Sequence, residues 1–272
     1  MQRIVAHSFK SMDDITFDAQ AYSRFKYGSF HDSYRFGVEL GRKIVKWCIE
    51  NLERGDKVMI SGAPYNQIPV ASTQLAKFTA MYCQSITKKY IFDTFKVDRK
   101  HSYHVDYGAM SAEEREALIS SDKFTLTADL SNCTVIFIDD IVITGTHERN
   151  MEKMIIEQGL NNICHDIVYA YYAELANPEC CPSIESDLNH ASIRKDYSNL
   201  PEFLFEFGDR LLINTRLVKF IMSMPEEKFN EVIHGGMTTD EFQKELYRLV
   251  LANGYDEEPL YASNFQTLKD SI

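Results

Sequence analysis

The sequence predicts an α/β protein in which helices cover a parallel β-sheet, with a helical segment after the sheet. Short apolar runs such as Val58–Ile60 and Val135–Ile138 have the length and composition of buried parallel strands. Stretches with helical spacing of apolar residues lie between these runs, and this alternation is typical of a parallel sheet. Beyond Pro182 the strand pattern ends while helical patterns continue.

The first half of the chain is predicted to begin with an N-terminal arm over residues 1–30. Apolar residues then recur at near-helical spacing over Asp32–Asn51, which predicts a long amphipathic helix. After the strand Val58–Ile60, the run Ile68–Lys88 contains no glycine and favours a helix, whereas Tyr90–Val97 is aromatic and β-branched and favours a strand. The result is a strand, helix, strand unit.

The second half of the sheet is predicted from three consecutive segments. The strand Val135–Ile138 is followed by a helix over His147–Gln158 and by a further strand over Asp166–Tyr172. We therefore expect the core of the fold to occupy residues 31–184 and a helical C-terminal subdomain to occupy residues 185–272.

Two sequence patterns have the spacing of a helix capping box. One pairs Ser111 with Glu114 inside the polar stretch Asp98–Leu130, which we expect to leave the core as a long excursion. The other pairs Thr238 with Glu241 and predicts the start of a C-terminal helix.

The composition excludes several classes of partner. The formal net charge of −11 opposes nonspecific binding to nucleic acid and docking on anionic lipid. No apolar run approaches the roughly 18 residues of a membrane span, and the N-terminus does not resemble a secretory signal, so we expect a cytoplasmic protein. The cysteines match neither a disulfide framework nor a zinc site, and we expect reduced thiols. They are Cys48, Cys83, Cys133, Cys164, Cys180 and Cys181.

The stretch Val135–His147 carries the chemistry. Asp139 and Asp140 follow a buried strand, and the turn Thr144–Thr146 leads into a helix. A glycine-containing turn at a helix start directs backbone N–H groups and the positive helix end at one point, which suits a phosphate. Carboxylates one step upstream would repel that phosphate but accept hydrogen bonds from the vicinal hydroxyls of a sugar. Together these features predict a site for a ribose 5-phosphate.

This stretch resembles the phosphoribosylpyrophosphate signature of type I phosphoribosyltransferases, in particular the orotate-type form. The resemblance implies their Rossmann-like fold and transfer of the 5-phosphoribosyl group from 5-phosphoribosyl-1-pyrophosphate (PRPP) to a nitrogenous base, with release of pyrophosphate. It implies that Asp139 and Asp140 bind the ribose hydroxyls. The 5-phosphate would be held by Ile143, Thr144, Gly145, Thr146 and His147. Ile143 departs from the pattern, because many members have a threonine there whose hydroxyl contacts the phosphate.

The same resemblance implies a pyrophosphate loop after the strand Val58–Ile60. Its residues would be Gly62, Ala63, Pro64, Tyr65 and Asn66, and they lack the basic residue that family members often have. A long flexible loop over Asp98–Leu130 would close over the reaction centre. The catalytic cations of that loop would be Arg99, Lys100 and His101. The implied cofactor is Mg²⁺, bound mainly through the substrate, with Asp139 or Asp140 touching it through a water.

The acceptor is expected to lie under a hood formed by the N-terminal arm and the region after residue 185. In the segment Tyr22–Gly28, Arg24 or Lys26 could either reach a phosphate or pack its aliphatic stem over a core edge. A late strand carries aromatic side chains that could flank a base or pack across strands. These are Tyr169, Tyr171 and Tyr172. The family commonly forms dimers, so a homodimer is expected.

Three alternatives stay open at this point. The fold can serve as a non-catalytic regulatory protein that binds PRPP or a nucleotide, which the departure at Ile143 and the missing basic residue near Asn66 favour. Asp139 and Asp140 can form a receiver-type acidic pocket for Mg²⁺, although such domains are much shorter. The turn Thr144–Thr146 can also be an ordinary connection between a strand and a helix.

Overall fold

The computed structural model describes residues 2–99, 124–177 and 183–272. The strands are β1 (Gln2–Phe9), β2 (Lys57–Ser61), β3 (Ile91–Thr94), β4 (Val97–Arg99), β5 (Phe124–Leu126), β6 (Thr134–Val142) and β7 (Asp166–Leu175). Five of them form a central sheet in the order β1-β7-β6-β2-β3, in which every neighbouring pair is parallel. β4 and β5 form a separate antiparallel pair.

Helices cover the sheet and continue beyond it. Those among the sheet strands are α1 (Ala19–Lys26), α2 (Phe30–Asn51), α3 (Ala71–Ile86) and α4 (Thr146–Glu157). Those after the sheet are α5 (Ile184–Asn189), α6 (Leu200–Phe207), α7 (Thr215–Met222), α8 (Glu226–His234), α9 (Asp240–Ala252) and α10 (Ala262–Asp270). Within the described ranges, no helix is both long and apolar enough to cross a membrane.

The strand β6 lies in the middle of the sheet and is apolar on both faces. Ile136 and Ile138 belong to the core that α1, α2 and α3 cover, whereas Val135 and Phe137 belong to the core that α4 covers. Side chains of a strand alternate between the two faces, so a strand with helices on both sides needs a continuous apolar run. This run is the signal that predicted the strand.

The helices α6 to α10 enclose a separate apolar core that also includes Tyr27 at the end of α1. The buried side chain of Asn214 joins the two regions, because its Nδ2 donates to the carbonyl oxygen of Lys26 at 3.1 Å. The backbone N–H of Leu212 donates to the carbonyl oxygen of Gly28 at 2.8 Å. The C-terminal helices therefore hold the end of α1 in place.

The predicted fold class is confirmed. The helices expected over 32–51, 68–88 and 147–158 are observed as α2, α3 and α4, and the strands expected over 58–60, 135–138 and 166–172 as β2, β6 and β7. The observed strands are longer than predicted. β6 runs on to Val142, so Asp139 and Asp140 lie within the strand and not after it.

Several predicted details differ from the structure. Residues 1–30 are not only an arm, because Gln2–Phe9 form an edge strand paired with β7. The single strand expected over Tyr90–Val97 is divided, since its first part pairs with β2 and its end pairs with β5. Helix α9 is capped by the side chain of Thr239, one residue later than the predicted cap, and that side chain accepts from Phe242 N.

Candidate active site

The acidic pair of β6 is divided between two environments. The carboxylate of Asp140 is buried and accepts hydrogen bonds from the hydroxyl of Tyr22 and the ammonium of Lys26, both on α1. Asp139 is less buried, and its Oδ1 accepts from the backbone N–H of Asp140 at 2.9 Å. Of the two predicted ribose ligands, Asp139 is therefore the more accessible and Asp140 is the one occupied by α1.

The two carboxyl groups have pKa values shifted in opposite directions. Burial raises the pKa of Asp139 well above its usual value, and the negative charge of Asp140 adds to this effect. Burial would also raise the pKa of Asp140, but the Lys26 ammonium and hydrogen bonds from Asp139, Lys26 and Tyr22 lower it to about 2. Asp140 thus carries a compensated charge, whereas a second charge on Asp139 is disfavoured.

The predicted phosphate loop joins β6 to α4. Gly145 has φ +70°, a left-handed conformation that glycine adopts readily, and it is the residue immediately before α4. The hydroxyls of Thr144 and Thr146 lie 2.9 Å apart on this turn. Ile143 packs against the core of the sheet, and the Nε2 of His147 lies 3.9 Å from the Oδ2 of Asp139. The structure therefore brings the loop and the acidic pair together.

Two arginines that the sequence did not single out flank the same turn. A Cβ added to Gly145 would lie 3.5 Å from the Nη1 of Arg149 and 3.8 Å from an Nη2 of Arg3. Arg3 donates from Nε to Glu148 at 2.9 Å and from Nη1 to Glu174 at 3.1 Å. These residues line an open groove of about 430 Å³ beside the loop.

The predicted pyrophosphate loop follows β2, next to β6 in the sheet, so both loops lie at the carboxyl edge of the strands. The backbone of Ser72 lies too close to Gly62 for a side chain, because an added Cβ would lie 2.6 Å from the carbonyl oxygen of Ser72. Gly62 does not have a positive φ. The N–H of Ala63 donates to Ser72 Oγ at 3.1 Å, and Pro64 is buried. The start of α3 therefore fixes the position of this loop.

A lysine lies beside this loop, although the loop contains no basic residue. The Nζ of Lys96 donates to the carbonyl oxygen of Asn66 at 2.6 Å and lies 4.5 Å from the ring centre of Tyr65. It also pairs with Asp98 at 2.6 Å. The predicted pyrophosphate loop, which has no basic residue of its own, thus has the ammonium of Lys96 beside it.

Arg99 ends β4, and its backbone N–H donates to the carbonyl oxygen of Tyr65 at 3.1 Å. The base of the predicted long loop is therefore attached to the predicted pyrophosphate loop. Lys100 and His101 lie outside the described residues, as do Ser111 and Glu114.

The three tyrosines for which base stacking and packing across strands were both open lie in the cores of the sheet. Tyr169, Tyr171 and Tyr172 are buried. The hydroxyl of Tyr171 donates to Glu148 and that of Tyr172 to Glu39, both at 2.8 Å. They pack across the sheet, which is the second of the two predicted alternatives.

The sequence contains a signal for some of the additional residues near the site and none for others. Lys26 was noted as part of a segment mixing cations with aromatics, but neither predicted role included its bond to Asp140. Arg149 stands one helical turn after Gly145, where a side chain can reach back over the loop. Lys96 and Arg3 had no such signal, because their roles depend on contacts between distant segments.

Comparisons with known proteins identify the family of the chain. A family model described as PRTase ComF-like matches residues 1–268. No curated protein matches the sequence. Similar solved structures include a hypoxanthine phosphoribosyltransferase from Staphylococcus aureus, with 16% identity, a TM-score of 0.32, and coverage of 54% of this chain and 65% of that chain. The Trypanosoma cruzi hypoxanthine phosphoribosyl transferase has 10% identity, a TM-score of 0.35, and coverage of 54% and 67%.

Proposed function

The chain belongs to the ComF-like phosphoribosyltransferase family, and from this premise we propose that it transfers the 5-phosphoribosyl group of PRPP to a nitrogenous acceptor. The bond broken is the one between carbon 1 of the ribose and the pyrophosphate oxygen, and the bond formed joins carbon 1 to the acceptor nitrogen. Pyrophosphate leaves with the bonding electrons. The acceptor proposed is a nucleobase or a similar small molecule.

One observation carries this proposal: an acidic pair, a glycine turn at a helix start and a second anion loop share the carboxyl edge of two neighbouring strands. Asp139 would accept hydrogen bonds from the ribose hydroxyls. The turn Thr144–Thr146 would hold the 5-phosphate, and the loop Gly62–Asn66 the pyrophosphate. These positions follow the order of the groups along PRPP, with the ribose between its two phosphate-bearing ends.

Asp139 and Asp140 have different roles in this proposal. Asp140 is committed to Lys26 and Tyr22, so we assign it to holding α1 against β6 and to keeping the pair's charge low. Asp139 remains as the acid that meets the sugar. An adjacent pair that carried two full charges would repel the phosphates of the substrate, and the Lys26 ammonium offsets one of them.

Mg²⁺ fits this donor set when the substrate brings it. Carboxylate oxygens are hard ligands of the kind Mg²⁺ prefers, and the ion commonly keeps several waters. Among the residues that the structure describes, no cluster of three or more His, Cys, Asp or Glu side chains is arranged to hold a metal by itself. Asp139 would therefore touch the ion through a water. The bound ion would neutralise charge on the pyrophosphate.

Cations near the second loop would stabilise the departing pyrophosphate. Lys96 stands beside Asn66 and Tyr65, and Arg99 is tied to Tyr65 through the backbone. As the bond to carbon 1 breaks, negative charge grows on the pyrophosphate, and positioned donors lower the energy of that state. Lys100 and His101 are proposed to join them when the long loop covers the reaction centre and excludes water.

A second candidate function is a regulatory protein that binds PRPP without turnover. It is favoured by Ile143, whose side chain offers no hydroxyl and packs into the core. Against it, Lys96 places a cation beside the predicted pyrophosphate loop, where it is paired with Asp98.

Calorimetric titration with PRPP and Mg²⁺, followed by measurement of pyrophosphate release with a panel of nucleobases, tests the proposal. Binding with base-dependent release supports a transferase and identifies its acceptor. Binding without release for any base supports the regulatory function. Absence of PRPP binding contradicts both functions.

A further inference from the structure

We propose that Arg149 is the cation that binds the 5-phosphate of the substrate, in place of the hydroxyl that the loop lacks at Ile143. This inference rests on the proposed function and adds the residue that would select a phosphorylated sugar. It concerns a side chain outside the run Val135–His147, in the first turns of α4.

Arg149 reaches back over the turn in front of its own helix. Its Nη1 donates to the carbonyl oxygen of Thr144 and its Nη2 to the hydroxyl of Thr146, both at 2.9 Å. These two bonds hold the guanidinium across Gly145. A guanidinium has more N–H donors than these two bonds use, and it binds phosphate in a forked geometry. Arg149 can therefore brace the loop and bind a phosphate at the same time.

The charge of Arg149 is available in a way that the charge of Arg3 is not. Arg3 is paired with Glu148 and Glu174, and its hydrogen bond to Glu148 raises its pKa. No carboxylate of the described residues forms an ion pair with Arg149, whose side chain is exposed. The phosphate would therefore meet one guanidinium that is neutralised and one that is not.

The balance of charge around the groove depends on Arg149. The two arginines and the two glutamates that line it have formal charges that cancel. Without Arg149 the groove would carry a net negative charge and would repel a phosphate dianion. The sugar-phosphate affinity should therefore fall for two reasons: loss of charge-assisted hydrogen bonds and added repulsion.

A purely structural role for Arg149 makes a different prediction. If the side chain only braces the loop, a neutral side chain that keeps a donor to the carbonyl oxygen of Thr144 should preserve binding. If the charge binds the phosphate, that neutral side chain should fail and a lysine should recover part of the affinity. Three substitutions at one position therefore separate the two roles.

The experiment is calorimetric titration of ribose 5-phosphate, and of PRPP with Mg²⁺, into the full-length protein. The variants are Arg149→Met, Arg149→Gln and Arg149→Lys, with Lys153→Met as the matched control. Lys153 is an exposed cation one turn further along the same helix. We expect Arg149→Met and Arg149→Gln to weaken both ligands by about 10- to 100-fold. Arg149→Lys should recover part of this loss, and the control should stay within about twofold of the wild type.

Two results would overturn the inference, and they are distinguishable. If the wild type binds both ligands and Arg149→Gln binds them as tightly, Arg149 only braces the loop and the proposed function stands. If the wild type binds neither ligand, the proposed function and the inference fail together. Loss of binding in both neutral variants with partial recovery in Arg149→Lys supports the phosphate role.

Discussion

Replacing Lys26 by methionine tests the buried contact that sets the charge of the acidic pair. The side chains of Lys26 and Asp140 are only 10% and 8% exposed, so water screens their interaction weakly. Methionine keeps most of the length and apolar volume of the lysine stem and removes the ammonium. Asp140 would then remain buried beside Asp139 with Tyr22 as its remaining side-chain donor from α1.

The size of the effect follows from the pKa of Asp140. A carboxyl group whose pKa is near 2 in the folded protein, as for Asp140, and about 3.9 in the unfolded chain gains roughly 2–3 kcal/mol of stability at neutral pH. Removal of one partner of a buried ion pair typically costs about 3–5 kcal/mol. Because Tyr22 still donates to the carboxylate, we expect the lower end, a loss of about 3 kcal/mol in the free energy of unfolding.

The pH dependence has a definite sign. In the wild type the pKa of Asp140 is lowered, so its contribution is present above the unfolded-state pKa and is lost as the pH falls toward 2. In Lys26→Met the ammonium that lowers the pKa of Asp140 is absent, so burial should raise this pKa above the unfolded-state value. The folded variant then binds more protons than the unfolded chain, and it gains stability as the pH falls from neutral toward about 4. The difference in the free energy of unfolding between the wild type and Lys26→Met should therefore be smaller in mild acid.

Urea unfolding at neutral pH and at about pH 4.5, followed by circular dichroism, measures these differences. The double variant Lys26→Met with Asp140→Asn contains no unpaired charge and should recover most of the lost stability. Lys46→Met removes an exposed lysine of α2 and should change stability by less than about 0.5 kcal/mol. A loss below about 1 kcal/mol in Lys26→Met, equal at both pH values, would refute the reasoning, because it would mean that the ammonium is not buried against Asp140.

Three further predictions concern the two loops and Asp139, the acid proposed to bind the ribose. Gly62→Ala places a Cβ 2.6 Å from the Ser72 carbonyl oxygen and should cost about 1–3 kcal/mol in urea unfolding, whereas Gly208→Ala, with no atom within 4 Å, should cost far less. Asp139→Asn removes a charge that burial disfavours, so thermal stability at neutral pH should be kept or increased. Calorimetry should show about tenfold weaker PRPP binding by this variant. Unchanged affinity would contradict the role proposed for Asp139. Arg99→Ala should leave PRPP affinity unchanged and slow single-turnover pyrophosphate release about 100-fold, and an equal rate would exclude it from catalysis.

Sequence reasoning found the loops because their signals are local. The run Val135–Ile138, the turn at Gly145 and the helix that follows are consecutive, and each has a composition that favours one backbone conformation. The family match over residues 1–268 confirms the resemblance that was read from this short run. The positions of Gly62 and the predicted phosphate loop at one edge of the sheet follow from the parallel pairing of β2 and β6.

The edge strand β1 and the divided strand near Lys96 were harder to predict. Gln2–Phe9 contains polar and charged residues with mostly exposed or half-buried positions, as is usual for a strand with only one neighbour in the sheet. Such a strand lacks the continuous apolar run that identified β6. Its pairing with β7, far away in the sequence, decides its conformation.

The sequence alone determined the parallel sheet, the glycine turn before α4 and the presence of two adjacent acids, since these depend on neighbouring residues. Only the tertiary structure decided the partners and the pKa of each of the two acids. The packing of α1 against β6 brings Lys26 and Tyr22 to Asp140 from 114 and 118 residues away, and neither of these side chains bonds to Asp139. Charge interactions depend on distance and burial in space, so the same Asp-Asp pair would have different pKa values beside a different helix.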